Sequence, residues 1–164
     1  MNLLELFRKI NTFIFDVDGV LTNSQVLVLE DGKLLRSMNI KDGLAIKKAL
    51  QQGFRIAVIT GGKSEGVKIR LQNLGVKDIY IGKSDKMESY EEMVHLYDLN
   101  PETILYMGDD LPDYPVMRKV GIAACPKDAA PEILSSSNYV SPYLGGEGCA
   151  RDVIEKVMRV QGKW

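Results

Sequence analysis

Short apolar runs alternate with longer stretches of helical periodicity along this chain. The runs FIF, IAVI and ILYM are apolar at every position instead of alternating apolar with polar residues. Strands of this kind are expected where helices cover both faces of a parallel sheet. Between them, segments such as DGLAIKKALQQG and KSEGVKIRLQNLG repeat apolar residues every three or four positions. The pattern predicts an α/β fold, in which a Rossmann-like parallel sheet is sandwiched by helices.

The ends of the periodic stretches support this division. Gly53, Gly75 and Gly121 each follow a periodic stretch, at a position where a left-handed residue often ends a helix. The closing segment GCARDVIEKVMRVQGKW predicts an amphipathic helix. Because no linker, repeat or low-complexity tract interrupts the chain, we expect one domain over residues 1–164.

The segment SQVLVLEDGKLLRSMNI departs from the alternation. Two strand-like runs flank Asp31-Gly32, a pair typical of tight β-hairpin turns. Both runs carry apolar residues on both faces, which an isolated hairpin cannot bury. The hairpin either folds back on its own domain or pairs with copies from other subunits, and the size of the apolar patch favours pairing by about two to one. Residues 24–40 are therefore predicted to be a protruding oligomerisation element.

Composition and charge limit the partners. The 164 residues have a net charge of −1 with acidic and basic residues intermixed, so nothing predicts binding to nucleic acid or to anionic lipid. The apolar N-terminal stretch is too short and too charged for a signal peptide or membrane span, and we expect a cytoplasmic protein. Cys125 and Cys149 lie far apart with no histidine cluster, which predicts neither a disulfide framework nor a zinc site. Small molecules are the expected partners.

Carboxylates follow two of the apolar runs. Asp16 and Asp18 come after FIF, and Asp109, Asp110 and Asp113 come after ILYMG. In an open parallel sheet, ligands bind beyond the carboxyl ends of the strands. Several carboxylates at one edge repel one another unless a cation neutralises them. A hard divalent ion with oxygen ligands is implied, and Mg²⁺ fits best because it leaves room for water and a phosphate oxygen.

Two further residues turn the acidic edge into a predicted phosphoryl site. Thr60, followed by glycines after IAVI, offers a hydroxyl and nearby backbone amides, and Lys86 begins a helix beyond the third strand. Asp16 can then attack phosphorus as the nucleophile, because phosphoryl transfer needs mainly positioning and charge neutralisation. Asp18, two residues on and on the same side of a strand, is the expected acid/base.

The ordered motifs DVDGVLT, ITGG, Lys86 and GDDLPD resemble the four motifs of the haloacid dehalogenase superfamily of phosphatases. Together with NIKDG and the tail GGEGCARDV, they make the chain similar to its small capless sugar-acid phosphatases. The resemblance implies a fold without a cap domain. It also implies that Asp16, Asp109 and the backbone carbonyl of Asp18 bind Mg²⁺, while Thr60 and Lys86 hold the phosphate.

The resemblance further implies a phosphorylated keto-deoxy sugar acid as substrate. The tail pattern favours an eight-carbon acid of lipopolysaccharide precursor synthesis, and a nine-carbon acid is the alternative. Relatives commonly carry an arginine after the glycine of the second motif, where this chain has Gly62. Recognition is then expected to shift to another basic residue, Lys63, Arg70 or Arg151, or to a different sugar acid. The full set of expected substrate contacts is Asp42, Gly43, Thr60, Gly61, Lys63, Arg70, Lys86 and Arg151, with Asp110 and Asp113 as supporting acids.

One of these residues has an equally good second explanation. Asp42 precedes an apolar-periodic run, so it is as well suited to capping the following helix as to contacting substrate.

The resemblance also implies a homotetramer, in which hairpins meet in a central barrel and the glycine-rich tail of one subunit closes a neighbour's site. The sequence supplies an independent reason for such closure. Neither residues 22–42 nor residues 60–86 leave room for a lid domain, so a lone subunit admits water and unwanted phosphates.

Two other classes of protein remain as alternatives. A signalling receiver domain also combines a phosphorylated aspartate, an acidic Mg²⁺ pocket, a threonine and a lysine on an α/β sheet. Receivers place their acceptor after the third strand, whereas here DIYIG lacks one and the acids recur after Lys86. A catalytically silent assembly module is disfavoured because Asp16 and Asp18 are both intact.

Overall fold

The computed structural model describes residues 2–164 and contains one six-stranded parallel sheet and a separate two-stranded hairpin. The eight strands in chain order are β1 (Thr12–Phe15), β2 (Leu27–Val28), β3 (Leu34–Leu35), β4 (Arg55–Ile59), β5 (Asp78–Tyr80), β6 (Ile104–Met107), β7 (Ile122–Cys125) and β8 (Tyr139–Val140). The large sheet has the order β5-β4-β1-β6-β7-β8. This confirms the predicted parallel α/β fold.

The strand order places a crevice beside the central strand. Phe15, the last residue of β1, is in register with Val58 of β4 on one side and Met107 of β6 on the other. The chain runs outward from β1 through β4 to β5 and then crosses back to begin β6 on the opposite side of β1. Such a switch in direction opens a ligand site beyond the carboxyl ends of the strands.

Helices cover both faces of the sheet, which explains the unbroken apolar runs. One face carries α1 (Leu3–Lys9), α2 (Ile40–Gln51), α3 (Glu65–Asn73) and α7 (Cys149–Val160), and the other carries α4 (Lys86–Leu96), α5 (Tyr114–Met117) and α6 (Pro131–Ser136). Within β1, Phe13 and Phe15 point into the first layer and Ile14 into the second. All three are fully buried, so an alternating pattern would place a polar side chain in one of the two cores.

Two of the three predicted glycine caps have the expected conformation. Gly53 and Gly75 have φ values of +83° and +98°, in the left-handed region that favours glycine. Gly121 does not, and the prediction for this residue was wrong. A Cβ at position 121 would lie 2.1 Å from the carbonyl oxygen of Glu102, so glycine is needed there for a close backbone approach.

The predicted hairpin is present and stands away from its own domain. β2 and β3 pair antiparallel around a turn in which Gly32 has a φ of +84° and the Asp31 carboxylate accepts the Lys33 N–H. Leu27 and Val28 are 63% and 65% exposed. In this structure the hairpin therefore does not bury these side chains against its own chain.

The glycine-rich tail is built into its own chain. Four residues at the start of α7 are fully buried, namely Cys149, Ala150, Val153 and Ile154. In the loop before it, the Gly146 N–H donates to the Val20 carbonyl, and a Cβ at Gly145 would lie 2.0 Å from the Gly19 carbonyl oxygen. Only the exposed side of this segment is thus available to a neighbour. Among the described residues, no helix is both long enough and apolar enough to cross a membrane.

Candidate active site

The two aspartates of the first motif lie just beyond β1 and border one cavity of about 560 Å³. Our expectation that they sit on a strand was wrong, because the chain leaves β1 after Phe15 and forms a wide helical turn over Val17–Leu21. Asp16 is 5% exposed and its Oδ1 accepts the Val17 N–H at 2.7 Å. Asp18 lies within the turn in an extended conformation, and its side chain is 42% exposed.

Gly19 explains why the motif continues with glycine. Its φ of +88° lies in the left-handed region, and a Cβ there would lie 1.8 Å from Oδ2 of Asp109. The missing side chain therefore lets the carboxylate that follows β6 pack directly against the turn that follows β1.

Lys86 joins the two acidic segments. It begins α4, is 5% exposed, and places its Nζ 2.9 Å from Oδ1 of Asp16 and 2.6 Å from Oδ1 of Asp113. The Asp85 side chain caps α4 by accepting the Met87 N–H, which fixes the position of the first turn. The structure thus brings together Asp16 and Lys86, as the sequence predicted.

Asp113 is more central than its expected supporting role. It is 1% exposed, and its Oδ1 accepts the Tyr106 hydroxyl at 2.6 Å in addition to Lys86. Its Oδ2 accepts the backbone N–H groups of Asp109 at 3.0 Å and Asp110 at 3.3 Å. Asp113 therefore orients both the lysine and the loop that carries Asp109. Asp110 borders the cavity, and its side chain accepts the Leu111 N–H.

Burial and mutual repulsion shape the charges of this cluster. Burial and the Asp113 charge hold the pKa of Asp16 well above its usual value, although Lys86 opposes both effects. The same two causes raise the pKa of Asp109 to about 7. Burial disfavours the charged form of Lys86, but the carboxylates of Asp16 and Asp113 outweigh it and the net pKa of Lys86 is raised. One ammonium thus faces three carboxylates.

The chemistry of these donors fits a divalent cation. Asp16, Asp109 and Asp113 each offer a carboxylate oxygen, and the three oxygens lie within 4.8 Å of one another. Hard oxygen donors in this number suit Mg²⁺. The grouping includes the Asp113 carboxylate, whereas the sequence analysis expected the backbone carbonyl of Asp18 as the third donor.

The structure adds a residue that the sequence analysis missed. Arg36, at the end of the hairpin, donates from Nε to Oδ1 of Asp18 at 2.6 Å and from Nη2 to Oδ2 at 3.1 Å. Nothing in the sequence marks this arginine, because it lies in no motif and 18 residues from its partner. Three more residues of the cavity wall, Ser24, Lys83 and Ser84, were also missed.

The second motif lies where it was predicted. Thr60 follows β4, is 3% exposed, and its hydroxyl accepts the Gly62 N–H at 3.2 Å. Gly61 and Gly62 border both the cavity of Asp16 and a neighbouring one of about 1010 Å³, which lies between the hairpin and the start of α3.

Two predicted substrate contacts border this second cavity. Lys63 and Arg70 are both part of its lining. The stem of Lys63 lies along Gly82, where a Cβ would be 3.2 Å from it. Nη2 of Arg70 lies against Gly43 of α2, at 2.8 Å from the position of a Cβ. Gly43 is buried, and its lack of a side chain leaves room for the guanidinium of Arg70.

Asp42 and Arg151 lie apart from the cluster. Asp42 is 2% exposed, and its Oδ1 accepts the Arg151 N–H at 2.9 Å. It therefore caps α7, whose own N-cap residue Gly148 has no side chain, while Asn39 caps α2. Of the two roles that the sequence left open for Asp42, the capping of α2 is wrong. The Arg151 side chain pairs with Glu155 and borders a separate cavity.

Comparisons with known proteins show the family of the chain. Residues 75–151 match the family of haloacid dehalogenase-like hydrolases. The 3-deoxy-D-manno-octulosonate 8-phosphate phosphatase KdsC of Escherichia coli is 36% identical over 95% of this chain and 83% of its own length. The crystal structure of the Yersinia pestis phosphatase of the same name superposes with a TM-score of 0.96 at 33% identity, covering 98% of this chain and 87% of that one.

A third relative was solved with ligands. The Moraxella catarrhalis octulosonate phosphatase, in complex with a magnesium ion, a phosphate ion and a KDO molecule, superposes with a TM-score of 0.93 at 28% identity, covering 97% of this chain and 91% of that one. The chain belongs to the haloacid dehalogenase-like hydrolases and, within them, to the family of 3-deoxy-D-manno-octulosonate 8-phosphate phosphatases.

Proposed function

We propose that this protein is a Mg²⁺-dependent phosphatase that hydrolyses 3-deoxy-D-manno-octulosonate 8-phosphate for lipopolysaccharide precursor synthesis. The observation that carries the proposal is the convergence of Asp16, Lys86, Asp109 and Asp113 at the carboxyl end of the sheet. The named relatives supply the substrate, and a nine-carbon sugar acid phosphate is the second candidate. The receiver domain and the silent assembly module lose support, because the relatives are phosphatases.

Asp16 is the proposed nucleophile. The Val17 N–H and the Lys86 ammonium both contact its Oδ1, which orients the carboxylate and leaves the other oxygen to attack. An electron pair of that oxygen forms the bond to phosphorus while the bond from phosphorus to the sugar oxygen breaks. Thr60, Gly61 and Lys86 surround the phosphoryl group with a hydroxyl, a backbone amide and a positive charge.

Asp18 is the proposed acid/base. Its partly exposed carboxylate lies on the same cavity as Asp16, on the side open to the sugar. It donates a proton to the departing sugar oxygen and then takes one from the water that hydrolyses the aspartyl phosphate. Asp113 and Asp110 position the loop of Asp109 through the backbone contacts described above.

A magnesium ion would be held by Asp16 and Asp109, with the backbone carbonyl of Asp18 or the Asp113 carboxylate beside them. Bound there, it would neutralise the carboxylates that otherwise repel one another, and also the charge that develops on the phosphoryl oxygens. The raised pKa values of Asp16 and Asp109 support a cation at this point.

We also propose that residues 1–164 form one cytoplasmic phosphatase domain and that its hairpin, residues 24–40, joins four subunits. The exposed apolar side chains of β2 and β3 support it. A neighbour would then close the open site, using the exposed side of the segment over 145–160, with Arg151 as a contact to that neighbour's substrate.

A phosphate-release assay over a panel of sugar acid phosphates tests the substrate. We expect magnesium-dependent turnover, lost with a chelator, and a kcat/KM for the octulosonate ester at least about tenfold above that for the nonulosonate ester, the difference that about 1.4 kcal/mol represents. Equal and poor turnover of every ester would contradict the substrate, and slow loss of phosphate from a stable phosphoprotein would favour a receiver.

Rapid acid quenching of labelled substrate tests the chemistry. Asp16→Asn is expected to lower kcat by at least about 10⁴-fold and to yield no labelled protein. Asp18→Asn is expected to lose turnover as well but to retain label from an aryl phosphate, whose leaving group needs little protonation. Label in the Asp16 variant would disprove the nucleophile assignment.

A further inference from the structure

Arg36 occupies an unusual position for a hairpin residue. Although β3 stands at the surface, the Arg36 side chain is only 8% exposed, and two of its nitrogens pair with both oxygens of Asp18. Paired N–H groups of this kind form the fork geometry in which arginine binds carboxylates most tightly. The proposed acid/base is therefore held by a residue of the protruding hairpin.

Gly62 makes room for this guanidinium. A Cβ at position 62 would lie 3.2 Å from Nη2 of Arg36, 3.4 Å from Oδ2 of Asp18 and 3.5 Å from the hydroxyl oxygen of Thr60. Any longer side chain at this position would enter the space that Arg36 fills. The lack of a side chain at position 62 is thus what allows the Arg36 guanidinium to lie there.

The guanidinium stands where two cavities meet. Gly61 and Gly62 border both the cavity of Asp16 and the larger one beside the hairpin. The larger cavity is lined by four basic residues and one acidic residue, namely Lys33, Arg36, Lys63, Arg70 and Glu65. A phosphorylated acid whose phosphorus lies at Asp16 would extend over Gly62 into this basic cavity.

The other basic residues of the cavity lie against other parts of the chain. Lys33 pairs with Asp31 of the hairpin turn at 3.4 Å, Lys63 lies along Gly82, and Arg70 lies against Gly43. Of the four, Arg36 is the one whose charge borders the acid/base. The three substitutes that the sequence suggested for the missing arginine, Lys63, Arg70 and Arg151, do not take this position.

We propose that Arg36 determines the preference for carboxylated substrates, by exchanging its bidentate partner from Asp18 to the carboxylate of the sugar acid. One carboxylate replaces another, so the guanidinium is never left unpaired in a buried position. The exchange also frees both oxygens of Asp18 to face the leaving group. This inference rests on the proposed function, since it concerns the substrate of the same site.

Kinetics with a matched pair of substrates test the inference. For Arg36→Gln, we expect kcat/KM for the octulosonate ester to fall about 10- to 100-fold, mostly through KM, because a charged hydrogen bond pair is lost. For p-nitrophenyl phosphate, which has no carboxylate, we expect only the effect of releasing Asp18, so the loss should be at least about fivefold smaller than the loss for the octulosonate ester. Arg36→Lys keeps the charge but not the fork and is expected to lie between the wild type and the glutamine variant.

The ratio of the two kcat/KM values separates recognition from a structural role. Equal losses on both substrates would overturn the inference, because they would mean that Arg36 only positions Asp18. Arg159→Gln, which breaks an exposed arginine–carboxylate pair on α7, is the matched control and is expected to leave the ratio unchanged. Thermal unfolding of each variant verifies that the fold is intact.

The outcome for Arg36 can be distinguished from that for the proposed function. If the wild type turns over the octulosonate ester poorly, the substrate assignment fails. The same comparison then uses the best carboxylated ester of the panel and its analogue without the carboxylate. A carboxylate preference that survives in Arg36→Gln overturns the inference for whichever acid is used.

Discussion

The acidic end of the sheet and the protruding hairpin differ in whether their side chains find partners within the chain. At the sheet, the buried charges of Asp16, Lys86 and Asp113 find partners within the chain at 2.6–2.9 Å. On the hairpin, six large apolar side chains are more than a third exposed, namely Val26, Leu27, Val28, Leu29, Leu34 and Leu35. The charged groups of the first region thus pair within the single chain, whereas the apolar side chains of the second remain exposed.

The two regions also differ in their proposed roles, because one carries the groups that react and the other borders the cavity for the rest of the substrate. The groups proposed to hold and transfer the phosphoryl group follow strands β1, β4, β5 and β6, which pair in one parallel sheet. The groups around the larger cavity come partly from the hairpin, whose apolar side chains are exposed. We infer that the reaction is built into the sheet, and that the choice of substrate depends on a more adaptable element. Arg36 is where the two meet.

The largest expected effect comes from removing the ammonium group of Lys86, which pairs with two carboxylates of the acidic region. Lys86→Met leaves the carboxylates of Asp16 and Asp113 buried beside each other without their shared ammonium. We expect kcat to fall at least about 100-fold and the metal-free protein to lose about 3 kcal/mol of unfolding free energy at pH 8. Steady-state kinetics and urea unfolding in a chelator measure both.

Lys156→Met is the matched control for this variant. Lys156 pairs with Asp152 on the surface of α7 and its side chain is 45% exposed, so its loss is expected to cost less than about 1 kcal/mol. An equal loss of unfolding free energy in the two variants would show that the buried Lys86 pairs stabilise the protein no more than the exposed Lys156 pair does.

The next effect tests whether the hairpin requires a partner. Replacing Leu27 and Val28 by lysine puts two charges on the apolar surface. If this surface joins subunits, the mass in solution should fall from four times 18.3 kDa to the single chain. Sedimentation equilibrium measures this mass. Turnover of the octulosonate ester should fall with it, since the open site loses its neighbour.

Leu96→Lys provides the comparison, because Leu96 is 64% exposed at the end of α4, away from the hairpin. It is expected to leave the mass unchanged. A wild-type protein that sediments as a single chain would refute the oligomerisation element, whatever the variants do.

The smallest effect concerns Asp42, which links the first turn of α2 to α7. Burial raises the pKa of Asp42 from 3.8 to about 6, although the Arg151 N–H opposes the shift. Because the pKa is higher in the folded state, the charge costs nothing below pH 3.8, and stability is lost as the pH rises through about 6. Asp42→Asn keeps an acceptor oxygen and does not titrate.

The variant is therefore expected to gain about 2 kcal/mol relative to the wild type between pH 4 and pH 8. Urea unfolding at the two pH values, both in a chelator, gives this difference. Asp31→Asn, at the exposed hairpin turn, is the control for a lost surface charge. A raised KM for the sugar acid with no change in stability would instead favour the substrate contact that the sequence suggested.

Sequence reasoning succeeded where the signal was local and periodic. Apolar runs predicted the strands of the sheet, and Asp31-Gly32 predicted the hairpin turn. The ordered motifs predicted that Asp16, Thr60, Lys86 and Asp109 would meet, because parallel strands end at one edge. It failed where a residue acts across the fold. Asp42 caps a helix 109 residues away, and Arg36 reaches Asp18 over Gly62, and neither contact leaves a pattern in the chain.

The sequence alone thus determined the fold class and the class of chemistry, since both follow from residue types at fixed spacings along strands and turns. Tertiary structure decided which charged and polar side chains pair with one another. Asp113 became the partner of Lys86 and Tyr106, and Arg36 became the partner of Asp18, because packing brought distant segments within hydrogen-bond distance. Such pairings depend on three-dimensional proximity, which spacing along the chain does not encode.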